Sequence, residues 1–293
     1  MKRILYILIT AVTIGTGLFS CEPLEDRDSL PAINYTEATL NHTEVLTDNT
    51  LTLTNNDKDV ISYWSVVDNA TKVELGHYNG NNAQAIIPFK GSYSVTYTAY
   101  TRGGIIATAP KTITVLKTDL SSITKDPRWG MLTNGAAGKT WVIKMANPIG
   151  FAGPAYLNTT VGDTGGDAWT YFPGSINEIL WSGIEVKDWG EITFDLNEGY
   201  NVTVKQTSLT TGSTAQTTTK GTFTYTLSSD FKKDFLDFNG GTKMLYQNAY
   251  YTQQAPGFSF SRVRLVEITA TSLKYAMLRD DGAQVIVSLI PKA

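Results

Sequence analysis

Cysteine is almost absent from this chain, since its 293 residues include only Cys21. One thiol has no partner within the chain, so a fold stabilised by intramolecular disulfide bonds is excluded. Histidine is nearly as scarce, with His42 and His77 as its two occurrences. Zinc sites built from cysteine and histidine clusters are therefore excluded, and a Ser-His-Asp triad is hard to assemble. The sequence also lacks a Gly-x-Ser-x-Gly elbow and a phosphate-binding glycine loop before a helix.

Charged residues are few as well, at 17% of the chain, which is below the usual quarter. The formal net charge is −3 and no basic stripe is present, so nucleic acid is not expected as a partner. After the first twenty residues, no long apolar segment follows a helical period. Threonine, tyrosine and valine are abundant instead, and this composition predicts an all-β fold.

The first twenty residues have the pattern of a signal peptide. Lys2 and Arg3 precede an apolar run over 4–19 that is too short to span a bilayer. The sequence Leu-Phe-Ser-Cys at 18–21 resembles the lipobox of bacterial lipoproteins. The resemblance implies that 1–20 is removed and that Cys21 is acylated, which would tether the protein to a membrane. The alternative is an ordinary secretory signal followed by a chance cysteine.

An acidic stretch, Glu-Pro-Leu-Glu-Asp-Arg-Asp at 22–28, comes directly after the cysteine. Its charges predict a solvated, flexible tether over 21–33. The stretch also resembles the surface-export signal of Bacteroidetes lipoproteins. That resemblance implies a location on the outer membrane with the body of the protein outside the cell.

A first β-sandwich is predicted over 34–117. Tyr93, Val95, Tyr97 and Ala99 fall on one face of a strand, with the period of two expected for a half-buried strand. The run 91–99 and the glycine turn at 103–104 resemble the penultimate strand and turn of PKD-like domains. The resemblance implies an Ig/PKD-like sandwich that acts as a spacer or binding platform. Trp64 is expected in its core.

A linker over 118–128 separates this unit from a second predicted sandwich over 129–293. Eight or more strands are predicted there, among them Ile184–Val186 and Lys243–Tyr246, with one candidate helix at Ser229–Phe238. This pattern favours a jelly-roll-like sandwich. Trp141 is expected in its core.

The second half also resembles a known group, on the residues 138–142, 150–154 and Trp169 in its glycine-rich context. It looks like the jelly-roll half of Bacteroidetes surface lipoproteins that pair it with a PKD-like module. The resemblance implies a non-catalytic protein of a glycan-uptake locus that works beside an outer-membrane transporter.

Carboxylates offer two weaker hypotheses. Glu185 and Asp188 belong to the richest acidic cluster, but their spacing of three places them on opposite faces of a strand, which disfavours a glycosidase pair. Asp163 and Asp167 lie in a glycine-rich loop. The simpler interpretation is a solvated loop, and a structural calcium ion is the alternative. No cofactor is otherwise expected.

Aromatic residues form the strongest functional signal, because five of them fall within 21 residues: Trp169, Tyr171, Phe172, Trp181 and Trp189. Sugar rings stack on flat aromatic faces, so the predicted glycan-binding residues are Trp169, Tyr171, Trp181 and Trp189. The alternative is that these rings fill the core. Trp169 and Tyr171 share a face opposite Phe172, so at least one side should be buried, and two of the four predicted residues should be exposed.

Tyr250 and Tyr251 form a second aromatic candidate loop. Three functional hypotheses remain open: a surface glycan-binding lipoprotein, a structural or adhesion spacer with no small ligand, and a glycosidase. The aromatic signal favours the first.

Overall fold

The computed structural model describes residues 30–156, 168–229, 234–253, 260–278 and 282–293. The signal peptide, Cys21 and most of the tether lie outside these ranges, as do Asp163 and Asp167 of the calcium alternative. The described residues form mostly antiparallel strands, which confirms the predicted all-β fold. None of the helices they contain is long and apolar enough to cross a membrane.

Two antiparallel sheets make up the N-terminal part of the described chain, with strand orders β1-β2-β5 and β4-β3-β6-β7 and with β8 beside β6. The strands are β1 (His42–Thr47), β2 (Thr50–Asn55), β3 (Ile61–Asp68), β4 (Glu74–Asn79), β5 (Asn82–Ile86), β6 (Gly91–Thr101), β7 (Gly104–Ala107) and β8 (Lys111–Val115). A single 3-10 turn, Glu37–Thr39, precedes them.

The two sheets bury one shared core. The alternating residues Tyr93, Val95, Tyr97 and Ala99 of β6 all face inward, as predicted. Trp64 is fully buried, which confirms its prediction, and its ring lies 4.3 Å from that of Tyr97. The leucines of β2 pack into the same cluster from the other sheet. The hydroxyl groups of Tyr93 and Tyr97 each donate a hydrogen bond, so the buried rings carry no unpaired oxygen.

Two helices and ten more strands follow. They are α1 (Pro127–Thr133), β9 (Lys139–Ile143), β10 (Ile149–Ala152), β11 (Thr170–Tyr171), β12 (Gly190–Asp195), β13 (Asn201–Thr207), β14 (Gln216–Thr226), β15 (Phe235–Phe238), α2 (Tyr250–Gln253), β16 (Arg262–Ile268), β17 (Leu273–Leu278) and β18 (Gln284–Pro291). Two 3-10 helices, Gly135–Ala137 and Ile176–Ser182, lie between them.

Eight of these strands close into a barrel, in the order β9-β12-β13-β14-β15-β16-β17-β18 and back to β9. The closing pairs join Leu289 to Ile143 and Ile290 to Val142. The predicted jelly roll is therefore wrong. A jelly roll crosses between two sheets through Greek-key connections, whereas each strand from β12 to β18 pairs with its immediate neighbour in the chain. Full closure also removes the exposed sheet edges that an open sandwich leaves.

Three local predictions are also wrong. Residues 184–186 and 243–246 form no strand. The candidate helix Ser229–Phe238 contains β15 in its second half, while residues 230–233 lie outside the described ranges. Leu236 and Phe238 alternate with more exposed neighbours, and β15 pairs with β14 and β16 on its two sides. This two-sided pairing overrides a weak local helix preference.

Helix α1 covers one end of the barrel, here called the helix end. Asp126 caps the helix by accepting a hydrogen bond from the backbone N–H of Arg128 at 2.9 Å. Trp129 turns into the barrel core, and the indole of Trp141, buried as predicted, donates to the carbonyl of Leu132 at 3.0 Å. The N-terminal sheets contact this same end, where Phe89 packs edge-on against Tyr200 at 5.0 Å.

An ion-pair network holds α1 to the barrel. The Arg128 guanidinium donates to Asp126 at 2.6 Å and to the fully buried Asp234 at 2.7 Å. Asp234 also accepts from the backbone N–H of Ser228 at 2.7 Å and from the hydroxyl of Tyr225 at 3.3 Å. Hydrogen bonding to Asp126, followed by the charge of Asp234, raises the pKa of Arg128, so this group stays protonated.

We expect Arg128→Ala to lower the free energy of unfolding by about 3–5 kcal/mol, because it leaves the Asp234 carboxylate buried without its partner. Arg262→Ala is the matched control, since Arg262 is largely exposed and lies 3.5 Å from Asp237. It should cost about 1 kcal/mol or less. Urea unfolding of the two variants checks this, and equal losses would contradict the role assigned to Arg128.

Candidate functional site

Long connections gather at the end of the barrel opposite α1, here called the loop end. Strands β9, β13, β15 and β17 all finish there, and the described residues of the connections that follow them are 144–156, 168–189, 208–215, 239–253, 260–261 and 282–283. Binding residues are commonly carried on loops that a rigid scaffold positions. The helix end is covered by α1 and the N-terminal sheets. We therefore expect a ligand-binding site at the loop end.

Strands β10 and β11 carry the first two rings of this site. Strand β10 continues the line of β9 along β18, and β11 pairs with its outer edge. Phe151 and Tyr171 are directly opposite each other in this pair. Opposed residues of antiparallel strands share a face, and the two rings lie nearly parallel, at 11°, with their centroids 6.2 Å apart.

The 3-10 helix Ile176–Ser182 supplies the third ring, Trp181. Ile179 and Ser182 are buried and fix the helix, and Gly183 ends it with a positive φ of 78°. The Trp181 side chain is 61% exposed, and its ring lies 6.0 Å from Phe151 at an interplanar angle of 26°. Its indole N–H donates to the carbonyl of Glu178 at 2.9 Å, which holds the ring in place.

Helix α2 completes the cluster with Tyr250 and Tyr251. Tyr251 packs edge-on against Phe151 at 5.4 Å and against Trp181 at 5.7 Å. Tyr250 lies 5.0 Å from Tyr251 and is 54% exposed. We call these five residues, Phe151, Tyr171, Trp181, Tyr250 and Tyr251, the aromatic platform. Phe151 and Tyr251 support it from beneath, while Tyr171, Trp181 and Tyr250 present ring surface to solvent.

Of the four predicted glycan-binding residues, Trp169, Tyr171 and Trp181 are exposed. The inclusion of Trp189 is wrong, because only 2% of this residue is exposed. Its indole N–H donates to the carbonyl of Glu185 at 3.1 Å, and the Lys187 ammonium lies 4.3 Å from the ring centroid. Trp189 therefore belongs to the barrel core and cannot stack on a ligand.

Phe172 also differs from expectation. The alternation of Trp169, Tyr171 and Phe172 predicts one buried side, yet all three residues are exposed. Strand β11 has only two residues, both exposed, and pairs with β10 alone, so it lies at the edge of the sheet. Phe172 lies over Gly150 instead, where a Cβ atom would come within 2.3 Å of the ring.

Tyr171 and Trp181 from the first predicted aromatic segment and Tyr250 and Tyr251 from the second meet in the platform, whereas Trp169 and Trp189 are not part of it. Sequence reasoning did not join the two segments, and it missed Phe151 as the ring on which the others pack. The signal for Phe151 was present, since the apolar run 149–152 is typical of a strand buried on both faces.

The candidate carboxylates hold loops in place. Glu185 lies 2.6 Å from the Lys187 ammonium and accepts from the backbone N–H of Gly212 at 2.7 Å. The hydrogen bond with Lys187, followed by that with Gly212, lowers the pKa of Glu185, whereas a glycosidase acid needs a raised one. Asp188 accepts from the backbone N–H of Gly190 at 2.8 Å and so fixes the turn into β12.

A metal centre has no support within the described ranges, where no group of three or more histidine, aspartate or glutamate side chains could hold an ion. The calcium alternative rests on Asp163 and Asp167, which lie outside those ranges. It therefore stays a prediction.

Comparison with known proteins adds no assignment. No protein-family model matches the sequence, and no curated protein is significantly similar to it.

Because Trp189 is buried and Trp181 is exposed, we expect their substitution by alanine to lower the free energy of unfolding by different amounts. Trp189→Ala should lower the free energy of unfolding by about 3–5 kcal/mol, because it empties a site in the packed core. Trp181→Ala should cost no more than about 1 kcal/mol, since most of this side chain is already in water. Chemical denaturation followed by circular dichroism measures both. Similar losses for the two variants would contradict the placement of Trp181 on the surface.

Proposed function

We propose that this protein is a non-catalytic, lipid-anchored cell-surface protein that binds glycan and assists polysaccharide capture and uptake. The observation that carries the proposal is the aromatic platform, which exposes Tyr171, Trp181 and Tyr250 together at the loop end of the barrel. The faces of sugar rings carry C–H groups that stack on flat aromatic surfaces. Rings fixed by packing bind them with little loss of conformational entropy.

The N-terminal sheets fit a spacer role in this proposal. We take them as a PKD-like β-sandwich, since two sheets enclose one core and β6 and its turn have the expected pattern. They contact the helix end, where Phe89 meets Tyr200 and Lys90 pairs with Glu198. Pro31 and Ala32 lie against Gly103, at the end of β6 away from Phe89 and Lys90, so the proposal puts the tether on the side of this unit away from the barrel. The platform at the opposite end of the barrel then faces away from the membrane and towards polysaccharide.

The anchor and location are proposed from the sequence. Cys21 at the end of the apolar run fits an acylation site, and several acyl chains hold a protein at a membrane far more firmly than one. The acidic stretch after it fits export to the outer face of the outer membrane. A transporter in that membrane is the proposed partner that receives the bound glycan.

A structural or adhesion role is the second candidate, and one specific observation favours it. Ile61, Tyr100 and Ile105 lie side by side on neighbouring strands of the N-terminal sheet. All three are exposed, with Ile61 at 72%. Exposed apolar rows of this kind suit contact with another protein. In this alternative the protein is a spacer and the platform takes no glycan.

We expect Trp181→Ala and Tyr250→Ala each to weaken polysaccharide binding about tenfold or more, a loss of about 1.4 kcal/mol that matches a central aromatic contact. Affinity gel electrophoresis with polysaccharide cast into the gel measures the retardation. Tyr100→Ala is the matched control, because it removes an exposed ring from the N-terminal sheets, and it should migrate like the wild type.

Retardation that survives both platform substitutions, or that Tyr100→Ala removes, would contradict the placement of the site. Reducing ends released from the same polysaccharides by the wild-type protein would contradict the non-catalytic role.

The anchor has its own test. Metabolic labelling of expressing cells with a radioactive fatty acid should label the wild-type protein, and Cys21→Ala should abolish the label and release the protein from the membrane fraction. Equal labelling of the two proteins would refute acylation at this thiol. If an ordinary signal peptidase cleaves the Cys21→Ala variant, that variant should appear as a secreted protein whose mass is similar to that of the mature wild type.

A further inference from the structure

A groove of about 690 Å³ adjoins the aromatic platform at the loop end. The short helix α2 is shared between the two, because it supplies Tyr250 and Tyr251 to the platform and Thr252 and Gln253 to the groove. The opposite wall comes from Thr210 and Thr211 in the β13–β14 connection. A long ligand that extends from the platform across α2 would therefore reach the groove directly.

The groove is polar but carries no charge. Thr211, Tyr246, Gln253 and Phe260 line it, and so does Asn248, whose side-chain N–H donates to the carbonyl of Leu209 and leaves its amide oxygen for other partners. The rings of Tyr246 and Phe260 stack at 3.7 Å, which gives the floor a rigid flat element. The side chains of Thr211 and Gln253 make no hydrogen bond within the described part of the chain, so their polar groups face solvent ready for a ligand.

Among the described residues, Lys187 reaches the groove wall at the carbonyl of Thr210, but its charge is used within the protein. The Lys187 ammonium donates to the carbonyls of Ser208 and Ser213 at 3.2 Å and 3.0 Å, and it pairs with Glu185 at 2.6 Å. The platform side carries an exposed carboxylate at Glu178, next to Trp181. No side chain that lines the groove or forms the platform is cationic among the described residues. The Glu178 carboxylate would repel an anionic sugar, and no cationic side chain of the platform or groove would offset that repulsion.

We propose that the ligand is an uncharged polysaccharide chain, several sugar units long, which runs from the aromatic platform across α2 into the groove. This inference rests on the proposed glycan-binding function and adds the class of glycan and its path. Rings hold one stretch of the chain by stacking, and the amide and hydroxyl groups of the groove bond to the hydroxyls of the next. Binding should then depend on chain length and remain insensitive to salt.

The test uses the full mature protein in affinity gels with two sets of polysaccharide. The neutral set is mixed-linkage β-glucan, galactomannan, laminarin and pullulan, and the acidic set is alginate, polygalacturonate and dextran sulfate. We expect retardation by at least one neutral polymer, equal at low and high salt, and none by the acidic set. The double variant Thr211→Ala/Gln253→Ala should bind the retarding polymer at least fivefold more weakly. Its matched control is Thr214→Ala, an exposed residue of the same connection that does not line the groove.

Short oligosaccharides of the retarding polymer separate the two surfaces by calorimetry. A fragment that spans only the platform should bind the groove double variant as tightly as the wild type, while Trp181→Ala should bind both fragment and polymer about tenfold or more weakly. Salt-sensitive retardation by an acidic polymer alone, or unchanged polymer binding by the groove double variant, would overturn this inference and leave the glycan-binding function standing. Absence of retardation by every polymer would remove the function and this inference together.

Discussion

Strand β18 pairs along one edge with two strands in succession, and this arrangement shapes the rest of the molecule. Its C-terminal half pairs with β9 and closes the barrel, while its N-terminal half pairs with β10. Residues 284–289 are buried on both faces as a result. Val285 and Val287 face the barrel core, and Ile286 packs outside against Ala152 and Tyr156. The pairing that closes the fold is therefore the same pairing that positions β10 and the Phe151 ring of the platform.

The helix end of the barrel contributes to stability, and the loop end carries the exposed groups assigned to binding. At the helix end, buried rings and the Arg128–Asp234 pair join α1 to the strands, and the pKa of Lys139 is lowered by burial as its ammonium donates to the carbonyls of Met131 and Ala270. Such buried, fully bonded groups resist movement. The loop end instead exposes ring faces and unbonded polar side chains. Binding groups there cost little stability because the core beneath them is complete without a ligand.

Sequence periodicity revealed the local structure where one face of a strand is buried. The alternation in β6 and the buried Trp64 and Trp141 followed directly from it. The closed barrel did not, because strands of a meander and of a jelly roll share the same period of two and differ only in which strands pair. Trp189 shows a similar limit. It follows a turn residue and reads as a loop tryptophan, but its ring turns inward beneath Lys187. The platform itself joins residues about a hundred positions apart, and no local pattern links Phe151 to Tyr251.

The central claim is that a glycan contacts the protein through the rings of the loop end. The six tryptophans make this claim directly measurable by NMR of indole N–H groups in protein labelled with ¹⁵N-tryptophan. During titration with fragments of a retarding neutral polysaccharide, the Trp181 signal should shift progressively, while the buried indoles of Trp64, Trp141 and Trp189 stay in place. A titration in which Trp181 remains unmoved while bound glycan is detected would contradict the account.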